Sequence, residues 1–99
     1  MRMMMKVSIP TEYGNKCVSE GYLTQTVMKF VETYRPESSY FLPEGGLRTA
    51  IFFFDAKDAT EIPLIAEPFF MNLHADITIT PVMNLDDMRT GVEKAIKKN

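Results

Sequence analysis

The stretch from Ser38 to Asp55 reads SSYFLPEGGLRTAIFFFD, and it contains two apolar runs separated by proline and glycine. The first run is Tyr40-Phe41-Leu42, and the second is Ala50-Ile51-Phe52-Phe53-Phe54. Aromatic and β-branched runs that flank a short glycine-containing connection are typical of a β-hairpin. The second run has no polar break, which indicates a strand whose two faces are both covered. We therefore predict that this run is a central strand of the sheet.

The segments on either side predict two strands and three helices. A strand is expected over 3–9, with Met3, Met5, Val7 and Ile9 on one face, and a second over 75–82, where ADITITPV alternates. Helical spacing predicts a helix over 15–34 that Asn15 caps, after a loop over 11–15. A further helix is expected from Asp58 to a left-handed Asn72, with a kink at Pro68. Asn84 is expected to cap a C-terminal helix that has acidic residues in its first turn and lysines in its last turn. This helix is expected to pack at an edge of the sheet.

This order, β-α-β-β-α-β plus one helix, predicts a ferredoxin-like α+β fold in a single domain over 1–99. Right-handed crossovers give a four-stranded antiparallel sheet in which the first and third strands are central. The third strand carries apolar side chains on both faces, and one layer of helices covers one face only. A homodimer that buries the second face is therefore expected.

Composition excludes several classes of function. The chain has 99 residues, a net charge of −2 and one cysteine, Cys17. It has no basic stripe of the kind that binds nucleic acid, no internal disulfide and no run of about 18 apolar residues that would span a membrane. The N-terminus lacks the apolar core of a secretory signal, so a cytoplasmic location is expected. We predict no metal site and no cofactor.

Three short motifs resemble those of a known group: Arg35-Pro36-Glu37-Ser38-Ser39-Tyr40-Phe41, Glu67-Pro68-Phe69-Phe70, and Pro81-Val82-Met83 with Asp86 and Asp87. They are similar to an uncharacterised bacterial family of the dimeric α+β barrel superfamily, whose ferredoxin-like domains pair sheet to sheet. The resemblance implies a homodimer with a central cavity. The superfamily includes cofactor-free monooxygenases, muconolactone isomerases and haem-dependent chlorite dismutases. Some members use an early His–Asp pair, whereas this chain has no histidine before His74.

The candidate site residues fall into three groups. Acid or base chemistry is assigned to His74, the only histidine, with Asp76 two positions later, and to Glu67 beside the Pro68 kink. A polar strip on the first and fourth strands is expected to line a cavity within the dimer, or to form a Lys6–Asp76 pair that sets the register. Further ligand contacts are assigned to the hairpin and the third strand. The ligand-binding candidates are Lys6, Ser8, Thr78, Thr80, Phe52, Phe54, Tyr40 and Arg48.

These residues support three functions from different classes. The first is a small-ligand-binding dimeric barrel protein. The second is a cofactor-free isomerase or monooxygenase that acts on a small aromatic compound or a lactone. The third is a purely structural or interaction domain, which would contain no enclosed cavity.

Overall fold

The computed structural model describes residues 1–98, and it forms one four-stranded antiparallel sheet with strand order β2-β3-β1-β4. The elements in chain order are β1 (Arg2–Ile9), α1 (Thr11–Ser19), α2 (Tyr22–Tyr34), β2 (Ser38–Glu44), β3 (Leu47–Asp55), α3 (Glu61–Leu73), β4 (Asp76–Pro81) and α4 (Leu85–Lys98). This is the predicted ferredoxin-like layout, with β1 and β3 in the centre. No helix within 1–98 is long and apolar enough to cross a membrane.

The core lies between the sheet and the helices α1, α2 and α3. Strand β1 alternates strictly, with its odd-numbered residues Met3 to Ile9 buried, as predicted. Opposite them, Phe52 and Phe54 of β3 are buried against Phe30 of α2 and Phe69 of α3. The ring centroids of Phe30 and Phe52 are 4.8 Å apart. These aromatic contacts hold the helical layer on the sheet.

On the other side of the sheet no helix packs within residues 1–98, and we call this side the open face. The expectation that β3 is covered on both faces is not met within one copy, because Ile51 and Phe53 on the open face are only partly buried. The hairpin prediction is confirmed. Strands β2 and β3 are joined by Gly45 and Gly46, which both have positive φ (61° and 79°) as a tight two-residue hairpin turn requires.

The predicted helix over 15–34 is wrong, because the structure has two helices there. Gly21 adopts φ 81°, a conformation that glycine reaches without steric cost, and it separates α1 from α2. The predicted loop over 11–15 and the Asn15 cap are also wrong. Helix α1 begins directly after Pro10, whose φ of −58° suits a helix entry, so Asn15 lies inside the helix.

Both ends of α3 differ from their predictions. Asp58 does not open the helix. Its carboxylate instead accepts a bond from the Thr60 amide at 2.9 Å, forming a turn before α3 starts at Glu61. Asn72 lies within α3, and His74 is the left-handed residue that ends it, with φ 51°. His74 therefore caps a helix and does not start the fourth strand.

Helix α4 begins as predicted but does not pack at an edge of the sheet. The Asn84 side chain accepts a bond from the Asp87 amide at 2.8 Å, and Asp87 accepts one from the Asn84 amide at 3.1 Å, which forms a reciprocal cap. No residue of α4 is buried. The longest dimension of the chain is 55 Å, and the radius of gyration is 16.0 Å, against about 13 Å for a compact domain of this length.

Candidate functional site

An apolar pocket of about 570 Å³ lies on the helix side of the sheet, between α2 and the β2–β3 hairpin. We call it the hairpin pocket. Its existence follows from the coverage of the sheet, because the helices cover β1, β3 and β4 but leave part of the edge strand β2 bare. Phe41 of β2 points to this side and is 61% exposed, although its ring contacts Phe52 with a centroid distance of 5.9 Å.

The lining of the hairpin pocket is almost entirely apolar. Leu23, Val27 and Met28 of α2 form one wall, and Phe41 and Pro43 of β2 form the other. The floor and the inner end consist of residues from the sheet and from α3, namely Val7, Ile9, Ala50, Phe69 and Leu73. Small-molecule sites are typically about 300–1,000 Å³, apolar, and supplied with a few polar groups that orient the ligand. The hairpin pocket has this size and composition.

Arg48 supplies the cationic group of the hairpin pocket. Its Nη2 donates a hydrogen bond to Asn15 Oδ1 at 3.0 Å, and its guanidinium lies against α1 beside Gly14. A Cβ atom at Gly14 would be 2.9 Å from Arg48 Nη1, so the guanidinium fits against α1 because Gly14 has no side chain. Within residues 1–98, Arg48 forms no ion pair with a carboxylate. Its charge is therefore available to a ligand.

The predicted polar strip on the open face is present, but its bonding differs from the expectation. Lys6 pairs with the Glu44 carboxylate and not with Asp76, so the predicted Lys6–Asp76 pair is wrong. The physical reason is the register, because Lys6 lies opposite Thr78 on β4, while Asp76 lies opposite Ser8. Ser8 Oγ is 3.4 Å from Thr49 Oγ1. Thr78 and Thr80 follow Asp76 along the same face of β4.

The three predicted acid–base residues are separated in one protomer. The His74 ring stacks on Tyr13 of α1, with centroids 3.5 Å apart and planes at 7°. Asp76 is exposed on the open face, at the edge of the sheet. Glu67 is exposed and lines a second groove, of about 710 Å³, between α2 and α3. His74 and Asp76 do not share a face, because the left-handed His74 precedes the strand.

The remaining ligand-binding candidates also separate. Phe52 and Phe54 are buried in the core and pack against Phe30, so they support the fold and lie on the side of the sheet away from the open face. Tyr40 is exposed on the open face, opposite Ile51, whereas Arg48 lies on the helix side. Only Arg48 of the predicted set lines the hairpin pocket. In the part of the chain that the structure describes, no cluster of His, Cys, Asp and Glu is arranged to hold a metal.

No protein-family model and no curated protein matches this chain. The site is therefore defined by geometry alone. The hairpin pocket was missed because Leu23 and Val27 have the spacing of an ordinary core stripe. The alternation of β2 is the signal that could have revealed this pocket, because it places Phe41 and Pro43 on one face of an edge strand.

Cys17 is buried in α1, and its thiol donates to the carbonyl oxygen of Asn72 at 3.6 Å. Burial raises the pKa of this thiol above its ordinary value. At a pH above the ordinary pKa, the Cys17 thiol is ionised in the unfolded chain but still protonated in the folded chain. The free energy of unfolding therefore falls as the pH rises.

We expect iodoacetamide to alkylate Cys17 in the native protein at least about 10³-fold more slowly than in the unfolded chain, because an ordinary domain has a folded-to-unfolded ratio of about 10³–10⁸. Mass spectrometry of timed samples with and without denaturant measures this ratio. Equal rates in the two conditions would show that the thiol is open to solvent.

Proposed function

We propose that this protein is a cytoplasmic, homodimeric binding protein that holds one small apolar molecule with an anionic head group in each hairpin pocket. The observation that carries the proposal is the coincidence of an apolar cavity of about 570 Å³ with one cation, Arg48, that has no acidic partner within residues 1–98. A buried reduced thiol such as Cys17 is compatible with the cytoplasm.

The lining of the hairpin pocket selects the chemistry of the ligand. Leu23, Val27 and Phe41 offer contacts to an aliphatic chain or an aromatic ring and no hydrogen bonds. The polar side chains of the lining are Thr24, Arg48 and Thr49, so a polar ligand would regain few of the hydrogen bonds that it loses with water, which is unfavourable. Burial of an apolar tail contributes about 25 cal/mol per Å² removed from water.

Arg48 selects the head group. A guanidinium presents several donors in a planar fork that matches a carboxylate, and such charge-assisted bonds are stronger than neutral ones. The Asn15 bond and the contact with α1 at Gly14 hold the fork in place before a ligand arrives. This reduces the entropy lost on binding. A molecule with an apolar tail and a carboxylate head therefore matches both the apolar lining of the hairpin pocket and Arg48.

The homodimer is proposed from the open face. Met4, Ile51 and Phe53 are partly exposed there, and Tyr40 and Leu42 are exposed beside them. No helix of this chain covers these side chains, and contiguous apolar surface of this kind is typical of an interface. A second copy placed face to face covers the patch about a two-fold axis, as in a dimeric α+β barrel.

Calorimetric titration with octanoate, and with octanol as its neutral counterpart, tests the ligand proposal. We expect octanoate to bind about tenfold more tightly than octanol, because a hydrogen bond to a charged group contributes about 1.5–3 kcal/mol. Arg48→Gln should remove this difference, and Arg48→Lys should keep part of it. Equal affinities of the wild-type protein for both compounds would contradict the assignment of Arg48.

A matched pair of tryptophan variants on α2 tests the location. Met28→Trp places a large ring in the wall of the hairpin pocket and should weaken octanoate binding roughly tenfold or more by excluding the tail. Glu32→Trp, one turn later on the same helix, lies outside the hairpin pocket and should bind as the wild type does. Unchanged binding by Met28→Trp would place the ligand elsewhere.

A further inference from the structure

Helix α4 carries an apolar stripe that the described part of the chain leaves unburied. The stripe consists of Leu85, Met88, Val92 and Ile96, and all four side chains are exposed. Their spacing of three and four residues places them on one side of the helix. Acidic and basic residues occupy the opposite side, so α4 has the pattern of a helix that packs on a surface.

A helix of this length needs such a surface. An isolated helix shorter than about 12–15 residues is marginal in water, and α4 has 14 residues. The cap formed by Asn84 and Asp87 stabilises its start, but Gly91 weakens its middle by about 1 kcal/mol relative to alanine. Tertiary or quaternary packing of the stripe supplies the remaining stabilisation.

The amount of uncovered surface matches a protein interface. The accessible surface of the chain is 6931 Å², whereas a folded monomer of 11.3 kDa exposes about 5,700 Å². The excess of about 1,200 Å² is larger than the roughly 800 Å² that each partner buries in a stable interface of standard size. A small ligand cannot cover an area of this size, but a second copy of the chain can.

The charges of α4 fit a second α4 that runs in the opposite direction. Asp86 and Asp87 occupy the first turn, and Lys97 and Lys98 occupy the last. An antiparallel neighbour places the acidic first turn of one helix at the same end of the pair as the basic last turn of the other, and a two-fold axis across the helix produces that arrangement. A parallel neighbour would place like charges together.

Helix α4 also starts next to the open face. Arg2 lies at the start of β1 and bonds Glu37 through Nε at 2.6 Å. The Arg2 carbonyl oxygen accepts a bond from the Val82 amide at 3.1 Å, which brings the segment that leads into α4 to this end of the sheet. Helix α4 therefore begins near one end of the surface that the proposed homodimer buries.

We infer that α4 is an intersubunit arm, which packs its stripe antiparallel against the α4 stripe of a second copy. This inference rests on the proposed homodimer and adds the contact that completes it. The arm explains why the chain extends to 55 Å and why no residue of α4 is buried within a single copy.

Disulfide cross-linking of the double variant Leu85→Cys/Ile96→Cys tests the arm, because both positions lie in the stripe and an antiparallel pair places position 85 of one helix beside position 96 of the other. The two positions are about 16 Å apart along one helix, so their thiols do not couple within one chain. With copper–phenanthroline as catalyst and oxygen as oxidant, which is reduced to water, we expect this variant to form disulfide-linked dimers through these positions and to leave the buried Cys17 unmodified. Non-reducing electrophoresis and peptide mass spectrometry identify the links.

Two glutamate variants provide the matched comparison. Val92→Glu lies in the stripe, whereas Thr90→Glu lies on the opposite side of α4, and both replace a β-branched residue by a better helix former. Val92→Glu should abolish the links of the cysteine variant and raise the dimer dissociation constant roughly tenfold or more, because it places an unpaired carboxylate in an apolar contact. Thr90→Glu should behave as the wild type does.

The outcomes separate the two proposals. A dimeric cysteine variant without these links, or a Val92→Glu dimer of unchanged affinity, would overturn the arm and leave the homodimer in place. A wild-type monomer, measured by light scattering at micromolar concentration, would overturn both.

Discussion

Replacing Phe52 by alanine is expected to lower the free energy of unfolding by about 3–5 kcal/mol, the usual cost of removing a buried phenylalanine ring. Phe52 is fully buried at the centre of β3, and its ring contacts Phe30, Phe69 and Phe41. The alanine variant leaves a cavity that the surrounding rings, held by three separate elements, do not close. Urea denaturation followed by circular dichroism measures the change.

Phe41→Ala is the matched control, since it removes the same ring from the same side of the sheet. Because Phe41 is 61% exposed, its loss should cost less than about 1 kcal/mol. Equal losses for Phe41→Ala and Phe52→Ala would mean that the hairpin pocket is closed and that Phe41 belongs to the core.

The second large effect distinguishes two adjacent residues of α3. Phe69 is 1% exposed and packs on Phe30 and Phe52, whereas Phe70 is 43% exposed. Phe69→Ala should cost about 3–5 kcal/mol, and Phe70→Ala less than about 1 kcal/mol. The same denaturation experiment measures both. A loss at Phe70 that equals the loss at Phe69 would contradict the orientation of α3.

The pair of phenylalanines in α3 shows how far the sequence predicts this fold. The pattern of apolar residues predicts a helix here, and the order of elements predicts the sheet. Phe69 and Phe70 both belong to that pattern, which does not show which of the two rings is buried. A helix turns about 100° per residue, however, so adjacent side chains face different directions and only one of them meets the sheet.

Helix boundaries were less predictable than the sheet. Gly21 was expected to weaken one long helix, and it separates two, because its positive φ is compatible with a break and incompatible with a continuous helix. His74 was expected in a strand, since it directly precedes an alternating segment. Its left-handed conformation ends α3 instead and removes it from the face that Asp76 occupies.

The candidate site was predicted only in part. Arg48 was one of the predicted ligand-binding residues, and it is the one of them that lines the hairpin pocket. Tyr40 lies on the other face of the sheet, because it pairs with Ile51, which is an odd number of positions from Arg48 on β3. The walls of the hairpin pocket depend on which strand the helices leave uncovered, and the sequence does not encode that locally.

Methionine methyl NMR tests the central claim most directly, because the chain has eight methionines and one of them, Met28, lines the hairpin pocket. Met71 and Met83 are exposed and lie outside it, so they report non-specific binding. In protein labelled at the methionine methyl carbons and titrated with octanoate, we predict a saturable shift of the Met28 signal and constant signals from Met71 and Met83. An unchanged Met28 signal, or shifts of equal size at all three methionines, would contradict a ligand site in the hairpin pocket.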